Sequence, residues 1–149
     1  MAQTTDIAGV TDGQVEISTD GSTWTDISGS TNKVEPVEQN RQTGDEYTLD
    51  GNYALVTSGK TEPVDVKVQI VFTQTAGEAY AVAHAAWLNR DPIYVRWAPR
   101  GNATGNKQYT TTKGVFKSFT WPTPMASEAK PQMVGFTMRT PQITEAAIS

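Results

Sequence analysis

Hydrophobic and polar positions alternate along most of this chain, with the period of a β-strand. The clearest run is Val64, Val66, Val68, Ile70 and Phe72, interleaved with Asp65, Lys67 and Gln69. A period of two over nine residues predicts a strand with one buried and one wet face. Val15 and Ile17 alternate with Gln14, Glu16 and Ser18, and Asp20-Gly21 then supplies a two-residue hairpin turn of the kind that needs positive φ. That turn places Ile17 opposite Trp24, an aromatic–β-branched pair. Ile27 has the wrong parity for this face, so a bulge or strand end is expected near Asp26. Ile93, Val95 and Trp97 alternate with Tyr94, Arg96 and Ala98; Val134, Phe136 and Met138 alternate with Gly135, Thr137 and Arg139. Tyr109 to Trp121 reads as one long strand with a bulge at the phase break of Gly114, ended by Pro122-Thr123-Pro124.

One segment changes period. Ala79, Val82, Ala83 and Ala86 form an apolar stripe of small residues at helical spacing, preceded by Thr75 and Glu78 as a capping box and stopped at Asn89-Arg90-Asp91-Pro92. Proline cannot continue a helix and restricts the residue before it. Residues 29 to 52 follow neither period. Lys33 to Val37 fits a short edge strand limited by Pro36, and the rest reads as a long polar loop. Tyr53 to Thr57 is a short strand closed by Ser58-Gly59-Lys60, and Pro141 to Ser149 reads as a free arm. A loop this long inside a compact domain is uncommon unless it binds something. The pattern predicts a mainly β fold in a single domain, 1–149. It is an antiparallel β-sandwich or partly closed barrel of seven to eight strands, with one flanking helix over about residues 76–89.

Composition narrows the function classes. The chain of 149 residues is large enough for one core, and with no cysteine it has neither disulfides nor thiolate metal sites. The first twenty residues show no basic n-region and no apolar h-region, so no signal peptide is expected, and no apolar run approaches a membrane span. The net charge of −4 hides an asymmetry. Residues 1 to 65 hold twelve acids and three bases, residues 66 to 149 four acids and nine bases. Clustering of this kind arises by chance, or because an acidic half meets a basic half on a neighbouring copy. Net acidity argues against a dedicated nucleic-acid binder.

Candidate chemistry is sparse. His84, the sole histidine, sits mid-helix with Tyr80 and Leu88 one turn away, the surroundings of a packing residue and not of a triad base. One histidine without cysteine excludes a zinc site, and the acids Asp45, Glu46 and Asp50 lack EF-hand spacing. In Gly101 to Lys107, Asn106 separates glycine from lysine and a strand follows in place of a helix, so the segment is a connection and no phosphate loop. Trp24, Trp87, Trp97 and Trp121 could stack sugars, but Trp24 and Trp97 fall on apolar strand faces expected in the core. Only Trp121, between strand and prolines, is expected to be exposed. No catalytic, cofactor or metal constellation emerges.

The order of segments nonetheless resembles a known family. The hairpin VEISTDGSTWTDIS is followed by a polar loop ending near EYTLDGNYALVTSGKTEPVDVKVQIVFT, then AYAVAHAAWLNRD, IYVRWAPRGNATGNKQYTT, KGVFKSFTWPTP and MVGFTMRTP. Together, over about residues 10 to 145, these resemble the major tail tube proteins of long-tailed (siphovirus-type) bacteriophages. The resemblance implies a structural virion protein without enzymatic activity or cofactor. It would assemble in the host cytoplasm with copies of itself into stacked rings, hexameric in the family, that form a hollow tail tube. Phage DNA would pass through the lumen without specific binding, and acidic side chains there would repel phosphate. Tail tip or baseplate, tape measure and tail terminator proteins are the other partners implied, with no membrane. By position, residues 38 to 50 would be the inter-subunit loop, with Glu38, Asn40, Arg41, Asp45, Glu46 and Asp50 as contact residues. Residues 1 to 10 and 141 to 149 would be arms between rings. The alternative is a carbohydrate-binding β-sandwich module built on the four tryptophans.

Overall fold

The computed structural model describes residues 2–5, 9, 12–126 and 129–149. Half of the expected N-terminal arm (residues 1, 6–8 and 10), and Ser127 and Glu128, lie outside the described residues. Eleven strands and one helix are present among them: β1 (Gln14–Ser18), β2 (Thr25–Asp26), β3 (Thr31–Pro36), β4 (Arg41–Glu46), β5 (Leu55–Thr61), β6 (Val64–Val71), α1 (Ala79–Leu88), β7 (Tyr94–Ala98), β8 (Lys107–Thr111), β9 (Val115–Thr120), β10 (Met133–Thr140) and β11 (Ile143–Ala147). They form a five-stranded sheet in the order β11-β8-β7-β1-β2, a four-stranded sheet in the order β3-β6-β10-β9, and a separate two-stranded ribbon of β4 and β5. All pairings are antiparallel. The fold is mainly β with one helix, and the sheets do not close into a barrel.

The core is what the alternation dictates. Val64, Val66, Val68 and Ile70 of β6 are buried, as are Val134, Phe136 and Met138 of β10, which face them in register. Ile17 and Val95 of the other sheet join the same apolar cluster, so the two sheets share one core. Ala79, Ala83 and Ala86 bring α1 close against it, and Trp87 stacks on Phe119 with ring centroids 5.8 Å apart. Burying these aliphatic side chains contributes about 1.5–3 kcal/mol each, the main favourable term of the fold.

Several expectations are corrected. The helix begins at Ala79, not near residue 76, because Gly77 holds φ +85, which L side chains rarely adopt. The capping box does not form: Glu78 is itself the N-cap residue, and its carboxylate accepts the Thr73 hydroxyl. The first hairpin is wider than two residues. Asp20 Oδ1 accepts the Ser22 and Thr23 N–H groups at 2.8 Å, which rounds the turn and pairs Ile17 with Thr25 in place of Trp24. The strand end expected near Asp26 is found there, with Ile27 turned into the core.

The segment 109–121 is not one bulged strand. It crosses from one sheet to the other at Thr112–Gly114, with β8 in the first and β9 in the second. Gly114 permits the crossing: a Cβ there would lie 2.7 Å from the Arg139 carbonyl oxygen and 2.4 Å from Met138 Cε. Residues 141–149 are not a free arm either, since β11 pairs with β8 from Ile143 opposite Thr111 to Ala147 opposite Lys107. The long loop contains regular structure as well, and it carries the candidate site.

Candidate assembly interface

The stretch expected as a polar loop is half of a β-ribbon. β4 pairs with β5 through Gly44–Thr57, Asp45–Val56 and Glu46–Leu55, with an irregularity between Arg41 and Thr43. All thirteen residues of the two strands are exposed on both faces. Six residues at about 3.4 Å each carry the ribbon about 20 Å outward before the eight-residue tip, 47–54, turns it back. Gly51, at φ +100, makes that reversal possible.

The root of the ribbon is held by hydrogen bonds. The Glu62 N–H donates to the Asn40 carbonyl at 2.8 Å, and the Gln39 side-chain amide donates to the carbonyls of Glu62 and Pro141, both at 3.2 Å. Val37 N–H reaches the Asp65 carbonyl at 2.8 Å. Beyond the root, the ribbon is held among the described residues only by its own strand pairing and short-range side-chain bonds. A lone two-stranded ribbon is marginally stable in water, so this one gains by being covered.

Its exposed side chains lead to the same conclusion. Tyr47, Leu49, Tyr53, Leu55 and Val56 are 63–110 % exposed, far more apolar surface than a polar loop needs. Large apolar side chains left this exposed mark interaction sites, and here they are spread over both faces of the ribbon. The acids sit beside them: Glu46 is the cross-strand partner of Leu55 and Asp45 that of Val56, on opposite faces of the ribbon. Of the residues expected to make contacts, Arg41, Asp45 and Glu46 lie on β4, Glu38 and Asn40 at the root, and Asp50 at the tip; all six are exposed. Reading acids and amides alone missed the five large apolar residues. The signal was in EYTLDGNYALV, where hydrophobic residues recur in a segment otherwise without a buried pattern.

A second unsatisfied feature is the sheet borders. β3 and β9 bound the four-stranded sheet, and β2 and β11 the five-stranded one. Edge strands carry unpaired N–H and C=O groups that invite pairing with another chain. The outward face of the four-stranded sheet carries Lys33, Glu35, Asp65, Lys67, Lys117 and Arg139, with Lys117 on Asp65 at 2.6 Å and Lys33 on Glu35 at 3.2 Å. It is mixed in sign, not acidic.

The other candidates have structural roles. His84 stacks on Tyr80 at 5.3 Å and lies against Phe119 and Trp121. The tryptophans do not share a platform. Trp24 lies under the Arg96 guanidinium, Trp97 stacks on Tyr109, and Trp87 packs against Phe116 and Phe119, while Trp121 alone is largely exposed. Trp24 and Trp97, expected in the core, are only half-buried at its margin. Among the described residues no three His, Cys, Asp or Glu gather as a metal site, and no helix is long and apolar enough to cross a membrane.

No family model and no curated protein matches the sequence. Solved structures share the fold over nearly the whole chain. A chain of the sheath–tube complex of an extracellular contractile injection system, in its extended state, superposes with a TM-score of 0.71 at 12 % identity, over 95 % of this chain and 93 % of that one. A chain of the sheath/tube terminator of such a system gives 0.71 at 14 %, over 98 % and 100 %. A chain of the tail of an empty gene transfer agent particle, resolved with C6 symmetry, gives 0.63 at 9 %, over 91 % and 95 %. At these identities the likeness is one of fold: this chain has the architecture of components of phage-like tails and contractile injection systems.

Proposed function

We propose that this chain is a structural subunit of a phage-type tail, assembling with its own copies into stacked rings that form a hollow tube. The carrying observation is the ribbon of β4 and β5, exposed on both faces and carrying five large apolar side chains at and beside its tip, on a fold shared with tail components. In the tube, the ribbon bridges subunits. The edges β3 and β9 pair laterally between neighbours, which removes exposed borders by closing a continuous sheet. Sixfold rings are favoured by the symmetry under which the gene transfer agent tail was resolved, and DNA passes through the lumen without specific binding. Residues 1–10 and the C-terminal segment 141–149 contribute contacts between rings, the latter from a strand already seated on β8. Tail tip, tape measure and terminator proteins complete the tail, and the subunit's place is the virion.

Negative-stain microscopy of the purified chain, alone and with a tail-tip complex as initiator, tests this. Rings or tubes of uniform diameter are expected. A monomer that persists at high concentration with the initiator present would overturn the proposal.

A further inference from the structure

We propose that the groove between the C-terminal end of α1 and the start of β9 receives the ribbon tip of a second copy of this chain. This deepens the tube reading and rests on it, by naming the surface the ribbon seeks.

The groove, about 570 Å³, is lined by Trp87, Leu88, Arg90, Asp91, Val115 and Phe116. Its apolar part is unusually bare. The helix AYAVAHAAWL carries no charged residue, and a helix apolar on all sides belongs in a buried setting. Yet Leu88 is 63 % and the neighbouring Val115 60 % exposed. The helix is largely covered by its own fold, and its bare part is the C-terminal end, where Ala85 and Leu88 are exposed.

The groove lining carries one cation, Arg90, and Lys113 lies just outside it, two residues before Val115. Ile93 and Gly114 form an isolated bridge, with N–H to carbonyl distances of 3.0 and 3.1 Å in the two directions. It holds the segment from Arg90 to Pro92 beside Lys113 and Val115. Arg90 and Lys113 are exposed, and neither makes an ion pair among the described residues. Asp91 is the one carboxylate lining the groove.

Arg90 also stands where arginine is disfavoured. The Asp91 N–H bonds the Ala86 carbonyl at 3.1 Å and the Arg90 N–H the Trp87 carbonyl at 3.2 Å. This is a Schellman closure whose left-handed residue, usually glycine, is here Arg90 at φ 56. Strain retained where glycine would relieve it points to a use for the side chain.

The ribbon tip is the chemical complement. The tip offers Tyr47, Leu49 and Tyr53 to the apolar floor, and beside it one face of the ribbon adds Leu55 with Glu46, the carboxylate placed to meet Arg90. The tip's own exposure shows that it does not reach this groove within its own chain. A second copy carries both halves, so the contact is head-to-tail, the type that propagates. It also accounts for the acidic first half and basic second half of the sequence: the ribbon lies in one, the groove in the other.

The chain has no cysteine, so introduced thiols report cleanly. A Leu49→Cys protein is mixed with a size-tagged Leu88→Cys protein, allowed to assemble and oxidised. A disulfide dimer of mixed size is expected, and little of it when the tagged partner carries Lys67→Cys on the outward face of the four-stranded sheet. Assembled tubes without the Leu88 cross-link would overturn the docking and leave the tube reading standing; failure of the unmodified chain to assemble would remove both. Arg90→Glu should lower assembly about tenfold or more, and Glu46→Lys in the same chain should restore it, since like charges repel across an interface and opposite ones attract. Normal assembly of Arg90→Glu would also overturn the docking.

Discussion

Glu16 and Arg96 face each other in register across β1 and β7, and Arg96 Nε donates to Glu16 Oε2 at 2.7 Å while its guanidinium carbon lies 4.2 Å from the Trp24 ring centroid. The arginine is thus held by a carboxylate in its plane and an aromatic face above it. Only a planar cation serves both contacts. The pair ties the first hairpin to the middle of the five-stranded sheet and fixes Trp24 at its margin.

Arg96→Ala should therefore cost about 2 kcal/mol of stability, since it leaves the largely buried Glu16 without its charged partner and with only the Gln14 amide donating to it. Arg96→Lys should recover only part of the loss. Urea unfolding of the three proteins measures it, and a lysine variant as stable as the parent would show that charge alone matters.

The turn before Trp24 titrates. The Thr23 and Ser22 backbone N–H groups, with help from the Ser18 hydroxyl, hold the Asp20 carboxyl well below its ordinary value of 3.8. A depressed carboxyl stabilises the fold fully above the unfolded value, and that stability is lost as pH falls toward the folded one. The melting temperature should fall on acidification below about pH 4, and Asp20→Asn should start lower at neutral pH and show a shallower acid slope. Equal slopes would remove Asp20 from the account.

Gly114→Ala should destabilise the chain by about 2 kcal/mol or more, because the new methyl meets the Arg139 backbone carbonyl and cannot be relieved by a side-chain rotation alone. Calorimetry of the variant checks this. A neutral effect would mean that β9 can shift against β10.

Arg90→Gly should act in the opposite sense and raise stability by about 0.5–1 kcal/mol, the left-handed strain relieved less the added freedom of the unfolded chain. Chemical unfolding decides the sign. A loss of stability would mean that the arginine side chain supports its own fold.

Replacing residues 41–61 by a two-residue Asn-Gly turn should leave the body's melting temperature almost unchanged, because Asn40 and Glu62 are already hydrogen-bonded neighbours and the excised strands are fully exposed. The trimmed protein should not form stacked rings by negative stain. Normal stacking would mean that the ribbon is dispensable.

These residues also show where sequence was readable. β6, β7 and β10 were legible because each buries one face and leaves the other wet, and α1 because its alanines recur at helical spacing. β4 was not, since Arg41–Glu46 buries nothing and an exposed strand leaves no hydrophobic rhythm to read. β11 was lost for the same reason: only Ile143 and no other residue of the strand is even half-buried. The crossing at Gly114 resembled a bulge because both disturb the alternation, and only the pairing partners of β8 and β9 tell them apart. At the candidate site the acids were visible as charges, while the apolar tip was visible only as residues with no place in a core.

The clasp at Gln39 has a mechanical meaning. Its amide grips Glu62 and Pro141 together, so the projecting arm is a cantilever whose root is tied to the place where the last two strands of the chain turn a corner. A pull or push at the far end is delivered to that corner and to the β10 backbone behind it. The same load also enters β6, which begins at Val64, two residues past Glu62, so the packed interior bears part of it.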